Sequence, residues 1–298
     1  MRFMYQYPET IGPDADMMAA GPVTELALAV ETAGWHGFAF TEHPVPGARW
    51  LSAGGHQTLD PFVALGHAAA VTDRLQLLTY LAVLPYRNPL LLAKAAATVD
   101  ILSNGRFILG VGTGYLKAEF HALGVDFDER NALFDEALDV LPLHWSGEPF
   151  SYQGRHFDAR DVIARPKPPR QSIPIWIGGN ASVTLRRVAE RAQGWMPLTS
   201  HVDISATTRT PHLKTIDDLA ARITWLKEVA GARAGELDIA IAYTDPSIAQ
   251  FDVDAERHRE TFAAYEEIGV TWIALPAPED RYPRTLDFVQ GFAERFIR

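Results

Sequence analysis

Four short stretches set polar or glycine residues where an apolar run stops abruptly. The first is Thr41-Glu42-His43-Pro44. A histidine there donates a hydrogen bond or moves a proton near neutral pH, and Glu42 can fix its orientation or act itself. Neighbouring strand residues point to opposite faces, so Glu42 and His43 need not share a pocket. The plain alternative is a histidine that tethers a loop. The second stretch is Leu81-Ala82-Val83-Leu84-Pro85-Tyr86-Arg87-Asn88-Pro89. Small Ala82 and apolar Val83 would admit a flat ring, and Tyr86 can stack or donate its hydroxyl. Arg87 can neutralise a phosphate or carboxylate, but pairing with a nearby acid to hold the loop is the better reading of the residue alone. In the third stretch, Gly110-Val111-Gly112-Thr113-Gly114, alternate glycines let the backbone approach a ligand and Thr113 offers a hydroxyl. A tight turn beside Tyr115 accounts for it equally well. The fourth, Ile177-Gly178-Gly179-Asn180, ends a strand in two glycines before a helix that follows Ser182. N–H groups at such a junction cradle a phosphate without lysine, with Asn180 adding a donor or acceptor. Its alternative is a Gly-Gly turn capped by Ser182.

Other chemistries find no support in the residue patterns. The ten histidines are scattered and no HExxH occurs, so no metal is expected. There is no GxSxG elbow, no GK[ST] after the glycines and no complete dinucleotide fingerprint. His36 and His67 read as structural or surface residues, and Trp176 and Trp195 as packing. The absence of cysteine excludes disulfides, thiolate metal sites and cysteine nucleophiles. It fits a reducing interior, and the expected location is cytoplasmic.

These stretches need a frame that brings them together. Short apolar runs at Phe3–Tyr7, Gly37–Thr41, Leu75–Leu81, Phe107–Val111, Ile173–Ile177, Gly194–Pro197, Leu237–Ala242 and Thr271–Leu275 predict eight strands. Between them, helices are predicted near Val23–Ala33, Pro61–Thr72, Pro89–Leu102, Arg130–Leu143, Val183–Arg191, Pro211–Val229, Ala255–Ile268 and Pro283–Phe296. Strict alternation of eight and eight predicts a (β/α)8 TIM barrel, an α/β fold, in which all four stretches fall at the C-terminal ends of strands. Asp60-Pro61 and Asn88-Pro89 each put a capping side chain before a proline at the first helical position. Leu213, Ile216, Leu219, Ile223 and Leu226 form one buried helical stripe. The run Leu75, Leu77, Leu78, Tyr80 and Leu81 reads as a strand covered on both faces.

Two segments interrupt the alternation. Val45–Leu59, with Gly47, Gly54 and Gly55, reads as a loop on the site face. Gly147–Gln171, around Pro166-Lys167-Pro168-Pro169, reads as an extended crossover, either a lid or a wrap around the outside. The 298 residues are read as a single domain, 1–298. The formal net charge of -10 argues against nucleic acid, whose backbone contacts need clustered Lys and Arg. The start lacks a signal-peptide pattern and no 18-residue apolar run occurs, so no membrane partner is expected.

Phe38-Ala39-Phe40-Thr41-Glu42-His43-Pro44, Leu84-Pro85-Tyr86-Arg87-Asn88-Pro89, Gly105–Gly124 and Ile173-Pro174-Ile175-Trp176-Ile177-Gly178-Gly179 together resemble the bacterial luciferase-like monooxygenase superfamily. Order and spacing agree across Phe38–Trp195, and the resemblance is closest to the branch of oxidoreductases that depend on coenzyme F420. FMN-using members share much of these signatures. The resemblance implies a flavin-like ring at the C-terminal strand ends with His43 beside it. It also implies that Ala82 and Val83 form a bulge behind the ring, often built around a non-proline cis bond. Thr113 matches the polar residue of the fourth strand, Gly178, Gly179 and Asn180 match a phosphate-binding turn, and Arg87 matches a family arginine. The C-terminal third diverges.

The activity so implied is hydride transfer between C5 of the deazaflavin and a small organic substrate, with His43 moving the proton and Glu42 orienting it. The alternatives are an FMN-dependent monooxygenase served by a reductase partner, and a non-catalytic flavin-binding protein. Many members are dimers, so a homodimer is expected.

Overall fold

The structure, a computed structural model, describes residues 1–8, 10–11, 17–170, 172–199, 205–250, 254–276 and 281–297. Eight parallel strands close on themselves: β1 Arg2–Gln6, β2 Gly37–Phe40, β3 Gln76–Thr79, β4 Phe107–Gly112, β5 Ile175–Gly178, β6 Gly194–Met196, β7 Asp238–Ala242 and β8 Trp272–Pro276. Each pairs with its successor, and β8 pairs back to β1 through Arg2↔Trp272 and Phe3↔Ile273. The helices that follow are α1 Val23–Ala33, α2 Pro61–Ala69, α3 Pro89–Leu102, α4 Arg130–Trp145, α5 Ser182–Arg191, α6 Ile216–Ala230, α7 Ala255–Glu267 and α8 Arg284–Phe296. This is the TIM barrel that the alternation predicts.

The strands sort their residues by the two-residue period of β structure. Met4, Ala39, Leu78, Ile108, Trp176, Met196, Ala240, Trp272 and Ala274 fill the barrel interior. Their neighbours Phe3, Tyr5, Phe38, Leu77, Phe107, Ile175, Ile239 and Ile273 pack outward against the helices. A strand buried on both faces therefore needs the near-continuous apolar runs seen in the sequence. Gly110 belongs to the inward set, because a Cβ there would stand 3.0 and 3.1 Å from the interior side chains Met196 and Leu78; it would also meet Thr79 O at 2.0 Å.

Capping sets the helix starts. The Asp60 carboxylate accepts from the Phe62 and Val63 N–H groups at 2.9 and 3.0 Å, and Asn88 Oδ1 accepts from Leu90 N at 2.9 Å. One start differs from expectation by several residues. α6 begins at Ile216, because Thr215 and Asp218 form a reciprocal capping box there. Leu213 is buried outside the helix, in a bridge with Thr199.

Both interrupting segments are more ordered than the sequence suggests. Val45–Leu59 contains a short helix, Ala48–Ser52, and His56–Gln57 pairs with Thr10–Ile11. The crossover folds into an antiparallel hairpin of Phe150–Gln153 and Asp158–Val162. Its tip is tied to α4: the N–H groups of Arg155 and His156 donate to Glu136, and both side chains reach Glu129. The segment is thus a wrap along α4; its last residue, Gln171, lies outside the described residues. No helix among the described residues is long and apolar enough to cross a membrane.

Candidate active site

His43 sits at the exit of β2, 9 % exposed, with its N–H donating to Thr58 Oγ1 at 2.8 Å. Its ring is held by an acid that the sequence did not single out. His43 Nδ1 lies 3.3 Å from Oε2 of Glu119, which is fully buried. The Tyr86 hydroxyl donates to the same oxygen at 2.7 Å, and Val45 N–H donates to Oε1 at 3.4 Å. With both neighbours donating to this carboxylate, Nδ1 is the donor from His43, which leaves Nε2 as the ring atom for chemistry. Burial, and then the bond to Glu119, pushes the Tyr86 phenol far above its usual range, so Tyr86 acts as a hydrogen-bond donor only. Trp50 and His56 flank the imidazole with ring centres 4.6 and 4.8 Å away. Burial, with the His43 charge adding to it, pulls His56 down to about 4, so it is neutral at physiological pH.

Glu42 does not bond the His43 ring. Its carboxylate accepts from Val83 N–H at 2.6 Å and is paired with Arg87, whose other arm reaches Asp60 at 2.8 Å. Burial pushes Glu42 up against the pull of Arg87. This network ties β2 to the segment after β3 and to the cap of α2, the loop-holding role that the residue type of Arg87 suggested. The alternation of strand residues separates the two neighbours: His43 turns to Glu119 and Glu42 to Arg87.

The segment after β3 bends one step earlier than expected. Leu78 pairs with Ile108, and Ala82 pairs with Val111, so Thr79, Tyr80 and Leu81 oppose only Leu109 and Gly110. This is a β-bulge, and the non-proline cis bond is Tyr80–Leu81. Ala82 and Val83 lie beyond it and resume the ladder. Ala82 packs outward among the helices, while Val83 joins Tyr86, Phe120 and Phe127 in a separate apolar cluster. The side chain that enters the mouth is Leu81: Cβ atoms at Gly112 and Gly178 would stand 2.6 and 2.2 Å from its methyls. These two glycines are therefore spaces for Leu81. Thr113 is half-buried at the end of β4.

At the end of β5 the expected donors are already used. Gly179 N–H donates to Met196 O at 3.2 Å and its carbonyl accepts from Trp195 Nε1 at 2.8 Å. Asn180 N–H donates to Thr210 Oγ1 at 2.6 Å. The Asn180 side chain, fully buried, donates to the Leu198 and Pro211 carbonyls at 2.8 and 2.7 Å and accepts from Leu198 N at 2.9 Å. Asn180 thus pins the chain after β6 rather than pointing at a ligand. Gly179 has φ +115°, a conformation that excludes side chains in practice. The donors on offer shift one step on, to the first turn of α5, whose N-cap Ala181 makes no side-chain bond. Ser182 is the first helical residue, not its cap.

Clefts open at this end among the described residues, two of them beside charged or titratable groups. One of about 190 Å³ adjoins His43 and is lined by Thr58, Leu59 and Pro61. The other, about 350 Å³, lies between α6 and α7 beside Thr199, Tyr243 and Asp245. Asp245 there is held by Arg257 and Ser247, each at 2.7 Å.

The sequence profile of the luciferase-like monooxygenase family matches residues 1–267. An uncharacterised protein of Mycobacterium tuberculosis is 31 % identical over 255 residues, 85 % of this chain and 80 % of that protein. The F420-dependent glucose-6-phosphate dehydrogenase of Kineococcus radiotolerans is 29 % identical over 205 residues, covering 67 % of this chain and 59 % of that enzyme. Among solved structures, the coenzyme F420-dependent tetrahydromethanopterin reductase of Methanopyrus kandleri superposes with a TM-score of 0.70 at 18 % identity, covering 99 % and 98 % of the two chains. The 3,6-diketocamphane monooxygenase of Pseudomonas putida, in complex with FMN, gives 0.66 at 17 % identity, covering 99 % and 83 %. The barrel and the match over most of its length place this chain in the luciferase-like monooxygenase family, a family of oxidoreductases.

Proposed function

We propose that the protein is a coenzyme F420-dependent oxidoreductase that passes a hydride between the deazaflavin and a small organic substrate. The observation that carries the reading is His43, fixed through Nδ1 by buried Glu119, on the same barrel end as the uncapped first turn of α5. An imidazole of fixed tautomer suits proton transfer, and a free helical N-terminus suits a phosphate. These residues fit a flat ring that carries a phosphate. The likeness to the Kineococcus enzyme, named as F420-dependent, supports the choice of ring.

When bound, the deazaflavin supplies hydride chemistry at C5. The chain supplies the rest. As a hydride reaches a carbonyl carbon, a proton must reach its oxygen, and His43 Nε2 delivers it; in the reverse direction His43 accepts it from the alcohol. Glu119 stabilises the imidazolium that forms and holds the ring in place; Tyr86 holds Glu119. Leu81, Val83 and Trp50 exclude water around the mouth.

The test is a titration of the apo protein with coenzyme F420 and with FMN side by side. Tight F420 and weak FMN binding is expected. Exposed Ser182→Glu places a carboxylate in the first turn of α5, which suits the helix dipole but repels a phosphate. Its F420 affinity should fall about tenfold with stability unchanged, a change of about 1.4 kcal/mol in binding. Preferential FMN binding overturns the cofactor assignment and moves the reading to an oxygen-using monooxygenase.

A further inference from the structure

The chain carries formal charge -10, yet three cations gather around one aromatic ring at the site end of the barrel. Arg130, Arg209 and Lys117 lie 4.0, 4.9 and 5.1 Å from the ring centre of Phe127. Phe127 packs on Phe120 at 5.1 Å, next to Glu119 in sequence, and belongs with Val83 and Tyr86 to the apolar cluster of the mouth. Arg209 precedes Thr210, whose hydroxyl accepts from Asn180 N–H just before α5. The cluster is linked on one side to the His43–Glu119 pair through Phe120 and on the other to the residues before α5 through Thr210, on segments that follow β4 and β6.

Their charges are not balanced from within. Among the described residues, neither Lys117 nor Arg209 is paired with a carboxylate. Arg130 donates to the Phe127 carbonyl at 2.9 Å and is opposed by the charge of Asp128. Burial, then the like charge of Arg209, draws Arg130 below its usual range, which places the two guanidinium groups close together. Elsewhere the pattern is opposite: Arg87, Arg187, Arg191 and Arg257 each have a carboxylate at hydrogen-bond distance. Three cations held together against mutual repulsion, with a π face as their common contact, form a receptor for a negative group from outside the chain.

We propose that Lys117, Arg130 and Arg209, gathered on Phe127, bind an anionic chain of carboxylate or phosphate groups carried by the cofactor beyond its ring. The inference rests on the F420 reading and deepens it, since it assigns a place to the negatively charged tail and predicts that the tail contributes affinity. The other source of the same chemistry is an anionic substrate.

The test uses the whole protein, the double variant Lys117→Ala/Arg209→Ala, and three probes followed by fluorescence or calorimetry. The probes are coenzyme F420, the same deazaflavin lacking phosphate and tail, and pyrophosphate alone. Both substituted side chains are exposed and, among the described residues, without ion pairs, so the variant should keep the melting temperature of the parent. Wild type is expected to bind the full coenzyme at least tenfold more tightly than the tailless form, with the advantage shrinking as salt rises. The double variant should lose about tenfold for the full coenzyme and less than twofold for the tailless form. Equal losses for both forms, or no loss, overturn the proposal. If the wild type binds neither deazaflavin but binds pyrophosphate, and the variant does not, the F420 reading falls and the anion site stands as a substrate site. If wild type binds none of the three, both fall.

Discussion

The two ends of the barrel treat charge in opposite ways. At the N-terminal end, Arg106 is locked by its own fold: it donates to the Ser103, Leu75, Ala69 and Thr72 carbonyls and to the Thr72 hydroxyl, at 2.7–3.2 Å. Beside it, Glu31 accepts from the N–H groups of Asp73, Arg74 and Leu75. At the C-terminal end, Glu119 is held by two side chains from separate segments, His43 and Tyr86, and Lys117, Arg130 and Arg209 find an aromatic face and, among the described residues, no carboxylate partner within hydrogen-bond reach. The difference separates a role in holding the fold from a role toward a ligand: charge closed off by backbone has no capacity left, whereas charge arranged around His43 does.

The strongest test of this contrast is Arg106→Ala. Several buried carbonyls would lose their donor, and unfolding in denaturant should show a loss of about 4 kcal/mol. Coenzyme binding per folded molecule should not change. A large drop in affinity with little change in stability would break the division.

Acid separates the ends next. The folded-state value of His56 is about 4, below its ordinary 6.5, so its contribution to stability is complete above pH 6.5 and lost as the pH falls to about 4. That change is about 3 kcal/mol at most. His36, His144 and His258 are also drawn down by burial, so their contributions too begin to be lost as the pH falls below 6.5. Glu31 is lowered too: burial pushes it up, but the combined backbone N–H bonds outweigh this, so its contribution persists until the pH falls below 4.5. Melting temperatures across pH should therefore fall less steeply between pH 6.5 and 4 in His56→Gln than in wild type, with the same slope below.

Glu119→Gln keeps the shape but removes the charge that steadies protonated His43. Turnover should fall about 10- to 100-fold, with the acidic limb of the pH profile shifted and KM nearly unchanged. An unaltered pH profile would leave Glu119 a packing residue. The smallest effect belongs to Tyr86→Phe. It removes one hydrogen bond to a buried carboxylate and should cost about 2 kcal/mol in stability with a severalfold loss of turnover.

The sequence by itself determined the barrel. Eight apolar runs, proline-flanked caps at Asp60 and Asn88, and glycines at strand ends are signals carried within a few residues, and they hold because helix and strand periodicity are local. It also marked His43, Tyr86 and Arg87 as residues at one end of that barrel. Their partners were not legible. Glu119 lies 76 positions from His43 and carries only the signal of an acid after the Gly110–Gly114 turn. The bulge at Thr79–Leu81 depends on the register between β3 and β4, which a single strand does not encode. Asn180 turned inward because Leu198 and Pro211 return beside it only when the chain after β6 has folded back. Lys117 and Arg130 flank Phe127 in sequence, but Arg209 comes from the segment after β6 and reaches the same ring only when the barrel closes. Local chemistry settles which elements form and which end they expose; contact between distant side chains waits on closure and register, and that is where this site is made.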